Sequence, residues 1–202
     1  MNSKEGNTFD PVTHEYTIAG RPVPSVTQII DEVLQVTYYG ATDRHLDRGT
    51  AVHACAALIA QGKAFEHDPQ IAGQVAACRK FFAEVKLVVE SVEQQIYSVK
   101  NQYAGTYDAV VSMPSLPTPA LLDWKASIIG TLPLQLAGYS IAYGETWGRQ
   151  LRWGIGVELH QDGTYKCSEV YDLKRYVNKF LALRSVYSIK QDLGLLNKKG
   201  EV

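Results

Sequence analysis

The feature that most constrains the fold is the segment Ala-Leu-Leu-Asp-Trp-Lys at residues 120–125, a short apolar run that ends in an acid and a base. Its length, the preceding Pro117 and Pro119 and the Gly-containing segment after it are typical of a buried β-strand. Because side chains alternate along a strand, Asp123 and Lys125 share one face, about 7 Å apart. Their burial is costly unless something pairs them. Taken alone, an ion pair at a strand end explains both residues.

A second acid precedes this strand. Residues 105–111, Gly-Thr-Tyr-Asp-Ala-Val-Val, form another strand-like run, and a loop rich in turn residues separates the two. An antiparallel hairpin centred at residues 115–116 places Asp108 opposite Asp123, whereas a slip of one residue would separate them. Directly opposed side chains have Cβ atoms about 5 Å apart, where like charges repel. A divalent cation between the carboxylates would turn this repulsion into attraction.

The composition indicates a soluble globular protein with one domain. Hydrophobic residues make up 46% and charged residues 20% of the 202 residues, which is ordinary for such proteins. We predict a single domain over residues 1–202, with residues 1–36 as an N-terminal hairpin–helix extension. The net charge of -1 and the pI of about 6.5 argue against a general polyanion-binding protein, although a localised basic groove remains compatible with them.

The expected location and the cysteine content restrict the class of protein further. We find no apolar run long enough to span a bilayer and no apolar signal-peptide core, so we expect a cytoplasmic protein without a membrane partner. The cysteines Cys55, Cys78 and Cys167 are far apart, and no CxxC pair occurs. We therefore expect free thiols in a reducing compartment rather than a zinc site or an iron–sulfur cluster.

Hydrophobic periodicity predicts an α/β (α+β) chain whose central mixed sheet is flanked by helices. Residues 1–15 are expected to be loosely ordered and residues 37–41 to form a connection. The predicted elements are a hairpin in 16–24, a helix from the capping box at Ser25 to about 36, helices over 48–60 and 69–88, strands over 91–100, 105–111 and 120–125, a helix over 132–143, a hairpin over 152–171 and a helix over 173–196.

Several polar residues within these elements are candidates for a site. His53 lies in the 48–60 helix, where a surface or satisfied core histidine is the simpler interpretation. Glu93 lies near the start of the 91–100 strand, where an exposed charge is more common than a ligand. Gln135 and Tyr139 are four residues apart and therefore share one helix face; a surface pair explains them equally well. Arg48, at a helix start, could reach an anion.

The order and spacing of these residues resemble the PD-(D/E)XK nuclease superfamily, and within it the RecB-like branch that includes phage-type exonucleases. Residues 49–53 are similar to the G-x-x-x-H helix motif of that branch, and residues 105–108 to its G-x-x-D strand. Residues 123–125 match the (D/E)-x-K signature, and residues 135–139 the Q-x-x-x-Y helix motif. A lone D-x-K is weak evidence, but four motifs in order over residues 48–143 are strong evidence together.

The resemblance implies a restriction-endonuclease-like core and metal-dependent hydrolysis of DNA. It implies that Asp108, Asp123 and the backbone carbonyl of Trp124 bind one or two Mg²⁺ ions, for which Mn²⁺ could substitute. His53 would add a nitrogen ligand, and Glu93 an outer ligand. Some members of the branch hold an iron–sulfur cluster on four cysteines, which this chain does not have, and we predict none.

The remaining motif residues would act on the substrate. Lys125 would orient the attacking water or stabilise developing negative charge, together with the catalytic acids Asp108 and Asp123. Gln135 and Tyr139, with Arg48, would hold the DNA backbone. By analogy with the branch, the favoured function is an exonuclease in DNA recombination, repair or processing, in a host cytoplasm if the chain is phage-encoded.

The motifs leave several alternatives open. A structure-specific or restriction-like endonuclease has the same motifs, since the two activities differ in the shape of the groove. A catalytically silent DNA-binding module would keep the fold, although it would be expected to lose one of the motif residues. The acids could also form a structural ion network. Strand polarity, strandedness and oligomeric state are not determined by the sequence, and no residue indicates a protein partner such as a recombinase or helicase.

Overall fold

A computed structural model describes residues 6–36 and 43–197 of the chain, and for residues 43–48 it describes the backbone alone. The predicted connection at 37–41 and the last five residues lie outside the described residues. The strands are β1 (Thr8–Asp10), β2 (Glu15–Ile18), β3 (Arg21–Val23), β4 (Val88–Ser98), β5 (Tyr103–Ser112), β6 (Ala120–Lys125), β7 (Trp153–Leu159), β8 (Tyr165–Cys167) and β9 (Tyr171–Asp172). The α-helices are α1 (Val26–Leu34), α2 (Asp43–Ala60), α3 (Ala72–Glu84), α4 (Leu132–Trp147) and α5 (Lys174–Asp192).

The main sheet has the order β4-β5-β6-β7-β8, and β9 also pairs with β7. Strands β6 and β7 are parallel and are connected through α4, whereas the other neighbours are antiparallel. Helices α1, α4 and α5 pack against one face of the sheet, and α2 and α3 pack against the other. The predicted mixed sheet with flanking helices is confirmed.

The hairpin of β5 and β6 has the predicted register. Ala109 pairs with Leu122, and the next two pairs along the ladder follow the same centre. Continued by one residue beyond Ala109 and Leu122, this register sets Asp108 opposite Asp123. The loop between the strands contains three prolines and two small polar residues, which favour a turn there.

The N-terminal region forms a small sheet and a helix. The predicted hairpin of β2 and β3 is confirmed, but the expectation that residues 1–15 are loosely ordered is wrong for β1, which pairs with β2. Ser25 caps α1, and the Gln28 side chain completes the capping box because its Oε1 accepts the Ser25 backbone N–H at 2.8 Å. Ile29 and Ile30 of α1 are buried in the same core as α4 and α5, so α1 helps to cover the main sheet.

Several predicted bounds differ from the structure; for example, β4 begins at Val88 rather than at residue 91, and α4 extends to Trp147 rather than to residue 143. Helix α2 begins at Asp43 rather than near residue 48, and it ends as predicted before Gly62, whose φ of 67° suits glycine. The predicted 69–88 helix starts with a 3₁₀ turn at Pro69–Ile71 and stops at Glu84.

No helix in the described parts of the chain is both long enough and apolar enough to cross a bilayer.

Candidate metal centre

Three acids stand side by side on three neighbouring strands. Glu93 of β4 lies opposite Asp108 of β5, and Asp108 lies opposite Asp123 of β6. The β4–β5 ladder pairs that flank the first position are Val92–Ala109 and Gln94–Tyr107. We call Glu93, Asp108 and Asp123 the acid row. Two unit charges 5 Å apart repel by about 3 kcal/mol at an effective dielectric constant of about 20, so the row is costly unless cations accompany it.

Burial increases this cost. Asp123 is 1% exposed and Asp108 is 8% exposed, while Glu93 is half-buried. Glu93 also has a φ of 48°, a left-handed backbone conformation that a non-glycine residue seldom adopts. Such strain in a native structure often marks a functional position. Charge, burial and backbone strain therefore coincide at one point of the sheet.

His53 of α2 reaches the middle of the acid row. Its Nδ1 lies 3.2 Å from Asp108 Oδ2, and the same oxygen accepts the backbone N–H of Trp124 at 2.8 Å. Single ligand atoms of His53, Glu93 and Asp108 all lie within 4.8 Å of one another. The helix motif and the strand motif are thus brought together around one small volume.

Lys125 and α4 meet the other end of the row. Lys125 Nζ lies 2.9 Å from Asp123 Oδ2 as an ion pair. Gln135 Nε2 donates to Asp123 Oδ1 and to the Tyr139 hydroxyl, each at 3.1 Å. Gln135 and Tyr139 are therefore not a surface pair, because Gln135 connects Tyr139 to the catalytic candidate Asp123.

The backbone of Trp124 faces the acid row while its ring faces away. The ring is buried against Phe81 and Phe82 of α3, with centroids 5.6 and 5.5 Å away. The backbone N–H of Trp124 donates to Asp108 Oδ2. The backbone N–H and C=O of one strand residue point to the same side of the strand. The Trp124 carbonyl accordingly points to the side of Asp108, beyond the last β5–β6 ladder pair.

Proton affinities at the site are strongly shifted. Burial opposes protonation of His53, but the Asp108 carboxylate outweighs it and raises the His53 pKa to about 9. Burial favours the neutral form of Asp108, yet His53 and Lys125 hold its pKa below the usual value. The metal-free centre therefore contains an ionised Asp108 beside a protonated His53 at neutral pH.

The other two acids are shifted in the opposite direction. Burial raises the pKa of Glu93 to about 7, and the Asp108 charge adds to the effect. Burial also raises the pKa of Asp123 to about 6, although Lys125 acts against it. Perturbed carboxyls of this kind concentrate at functional sites. A cation that entered the centre would displace the protons that these two acids hold.

Two glycines make room for the site. A Cβ at Gly105 would lie 2.7 Å from the Tyr139 ring, which explains the glycine of the G-x-x-D pattern. A Cβ at Gly156 of β7 would lie 2.3 Å from Leu132 and 3.0 Å from Ile128. Gly156 pairs with Asp123 in the parallel ladder, so its missing side chain lets the start of α4 lie directly over the acid row.

Sequence reasoning missed a cavity beside the centre. It has a volume of about 120 Å³, and Lys125 and Gln135 form part of its wall. The other polar lining residues are Thr27, Asp31, Ser127 and Thr131. The only sequence signal was the four-residue spacing of Thr27 and Asp31 on α1, which places both on one helix face. Glu158, also missed, accepts the Ile128 backbone N–H at 2.6 Å and holds the loop of this cavity.

One predicted site residue falls outside this description. The side chain of Arg48 lies outside the described residues, so its predicted contact with DNA stays a prediction. The remaining predicted residues converge on the acid row from α2, β4, β5, β6 and α4.

Comparisons with known proteins address the fold. The sequence matches no family model and no curated protein. A candidate exonuclease from Eubacterium rectale aligns with a TM-score of 0.52 and 11% identity, over 87% of this chain and 83% of that one. An alkaline exonuclease from Laribacter hongkongensis aligns with a TM-score of 0.41 and 12% identity, over 84% of this chain and 92% of that one. The structure of the Laribacter hongkongensis protein in complex with dAMP aligns with a TM-score of 0.41 and 13% identity.

These features define the class of fold. The mixed sheet, its two layers of helices and the likeness to the Eubacterium rectale protein give a restriction-endonuclease-like core. The restriction-endonuclease-like fold that the four motifs implied is therefore confirmed.

Proposed function

We propose that this chain is a metal-dependent deoxyribonuclease that hydrolyses phosphodiester bonds as a RecB-like, phage-type exonuclease. The observation that carries the proposal is the buried acid row with Lys125 at its end, 2.9 Å from Asp123. Among the side chains that the structure describes, its three carboxyls exceed the two cationic groups, His53 and Lys125, that contact it. A structural ion network would be expected to balance these charges.

The donor set fits a divalent cation. Carboxylate oxygens, a backbone carbonyl and one imidazole suit Mg²⁺, and they also accept Mn²⁺. Asp123 Oδ2 is buried and faces Lys125 Nζ at 2.9 Å. His53, Glu93, Asp108, Asp123 and the Trp124 carbonyl would hold one or two such ions. When bound, the ion would acidify a water and offset charge on the phosphate.

The protein's own groups would complete the reaction. Lys125 holds a positive charge at the site, where it can orient the attacking water and stabilise the negative charge that develops on phosphate oxygens. Gln135 fixes the orientation of Asp123 and of the Tyr139 hydroxyl. The Tyr139 hydroxyl can also donate to a DNA phosphate. The cavity beside Lys125 would receive the nucleotide next to the cleaved bond.

The exonuclease form of the proposal has two supports. The four motifs resemble those of the RecB-like branch, and the Eubacterium rectale protein of similar fold is named as a candidate exonuclease. We propose a role in DNA recombination, repair or processing on the same basis.

The test compares two forms of DNA. End-labelled linear DNA and covalently closed circular DNA are incubated with the protein and Mg²⁺, Mn²⁺ or EDTA, and the products are separated by electrophoresis. We expect metal-dependent degradation of linear DNA alone. Nicking or linearisation of the circle would indicate an endonuclease instead. Protein that is folded by circular dichroism and degrades neither DNA would contradict the proposal and favour a silent binding module.

A further inference from the structure

Helix α5 carries a basic face that the proposed reaction does not use. Lys174, Arg175, Asn178, Lys179 and Ala182 are all exposed and recur at helical spacing, so they form one continuous strip. We call these five residues the basic face. The strip contains no acid, and α5 as a whole contains one acid and five Lys or Arg residues in a chain of net charge -1.

The cations of this face are not used in internal ion pairs. Asp172, at the start of α5, pairs with Arg152 at 2.9 Å and accepts the Lys174 backbone N–H at 3.3 Å. Among the side chains described for residues 6–36 and 49–197, Lys174, Arg175 and Lys179 form no ion pair with a carboxylate. Lys179 lies over the Tyr176 ring, 5.0 Å from its centroid. Three positive charges are therefore available to a partner.

A cavity adjoins the basic face. It has a volume of about 410 Å³, and its lining residues are Gln150, Leu151, Arg152, Lys174, Val177 and Asn178. Its polar lining groups include amide and cationic donors, and its floor is apolar. Donors above an apolar floor suit a phosphate and the sugar or base attached to it.

The basic face lies on the same side of the sheet as the cavity at the metal centre, because α1, α4 and α5 cover that side together. Its start is near Trp153, which pairs with Ala120, whereas Lys125 pairs with Glu158 five residues further along the parallel ladder. Five strand residues span about 16 Å. Each strand of a DNA duplex carries one phosphate per about 3.4 Å of helix axis, so this separation corresponds to roughly five base pairs along a duplex.

We propose that the basic face and its cavity form a second contact surface for the DNA backbone, about five or more nucleotides from the cleaved bond. The inference rests on the proposed function for the identity of the partner. The surface contributes affinity only when the substrate is long enough to reach from the metal centre to α5. The predicted consequence is a dependence of affinity on substrate length.

The test removes the charges and varies the length of the DNA. A variant with Lys174→Gln, Arg175→Gln and Lys179→Gln is compared with wild type on fluorescein-labelled DNA of 4 and 30 nucleotides, single-stranded and duplex. Anisotropy in Ca²⁺ gives binding, and cleavage in Mg²⁺ gives kcat and KM. The control variant, Lys63→Gln, Lys80→Gln and Lys86→Gln, removes the same charge from exposed positions on the α2–α3 side.

We expect the α5 variant to bind the 30-nucleotide DNA about ten-fold more weakly and to lose about two units of the salt dependence of log K. Its kcat on both lengths and its KM on the 4-nucleotide DNA should match wild type. The control variant should stay within about two-fold of wild type on both lengths. Circular dichroism and thermal unfolding verify that both variants are folded.

Each other outcome has a definite meaning. Equal binding of long DNA by the two variants would overturn the inference while leaving the nuclease proposal intact. Displacement of DNA by poly-glutamate of equal charge as readily as by DNA would overturn it in favour of an acidic protein partner. Length-dependent binding through α5 without cleavage would retain the contact surface and contradict the proposed nuclease. Absence of DNA binding by wild type would overturn both.

Discussion

The carboxylate of Glu145 and the three carboxyls of the acid row differ in how the surrounding chain compensates their charge. Glu145, near the end of α4, accepts hydrogen bonds from the Ser98 hydroxyl at 2.6 Å, the Lys100 backbone at 3.0 Å and the Asn101 amide at 3.2 Å. These hydrogen bonds connect α4 to the β4–β5 turn. In contrast, the acid row of Glu93, Asp108 and Asp123 sets three carboxyls against one another.

This difference distinguishes a carboxylate that is buried for a structural role from carboxyls that are buried for a functional one. Neutral donors around Glu145 satisfy its charge, so nothing further is required there. The acid row places like charges in direct opposition, and burial together with the Asp108 charge raises the pKa of Glu93 to about 7 and of Asp123 to about 6. A chain under selection for stability alone would gain from its removal. We infer that the row is retained for the cation that it can bind.

The largest expected effect is on cleavage. Asp108→Asn, Asp123→Asn and Lys125→Ala should each reduce kcat at least about a thousand-fold, because each removes a charge from the reacting centre. Steady-state cleavage of linear DNA measures this, with Glu145→Gln as the matched control that changes a carboxylate elsewhere. Retention of wild-type activity by any of the three would remove that residue from the mechanism.

The acid row should also destabilise the metal-free protein. The Glu93 pKa is raised from 4.5 to about 7, so between these values the unfolded chain loses a proton that the folded chain keeps. The free energy of unfolding should therefore fall as pH rises from about 4.5 to 7. Glu93→Gln lacks this loss and should be more stable than wild type by about 1–2 kcal/mol at pH 8, after allowance for partial exposure.

Urea unfolding in EDTA at pH 4.5 and pH 8 measures the difference. The advantage of the Glu93→Gln protein should be present at pH 8 and nearly absent at pH 4.5. An equal advantage at both pH values would show that Glu93 does not titrate as described.

Glu145 should behave in the opposite way. Glu145→Ala removes the acceptor of three hydrogen bonds and leaves Ser98 without its acceptor in the core, so we expect a loss of about 1–3 kcal/mol in the free energy of unfolding. Cleavage per folded molecule should not change. Thermal unfolding together with an activity assay at 20 °C separates these quantities, and a large loss of kcat in the folded variant would contradict the structural role.

The smallest effect is expected on α4. Gln135→Ala breaks the contact that orients Asp123 and Tyr139, and Tyr139→Phe removes one hydroxyl that can hold the substrate. Each should reduce kcat/KM by about ten-fold, since neither removes a charge. Wild-type kinetics for both variants would make this helix pair purely structural.

Sequence was sufficient where local rules determine the geometry. The opposition of Asp108 and Asp123 follows from the length of one loop and from strand alternation. The capping box at Ser25 and the turn around Gly163 are likewise local, and Gly163 has the positive φ expected there, 84°. These elements have the predicted positions.

Tertiary contacts determine what sequence could not give. The parallel pairing of β6 with β7 depends on how α4 crosses the sheet, and no local pattern in the sequence marks the left-handed backbone at Glu93. On α3, the buried side includes Cys78 and Phe81, since the ring of Trp124 packs there. Periodicity alone does not show which stripe of α3 the Trp124 ring covers.

The most direct test of the central claim is a Mn²⁺ titration followed by electron paramagnetic resonance of the free ion. We predict that wild type binds one or two Mn²⁺ ions. Affinity should rise from about pH 6 to pH 9, because Glu93 and then His53, with pKa values of about 7 and 9, must lose their protons. Asp108→Asn should lose this binding and Glu145→Gln should keep it. Equal binding by these two variants, or none by wild type at pH 9, would contradict the account.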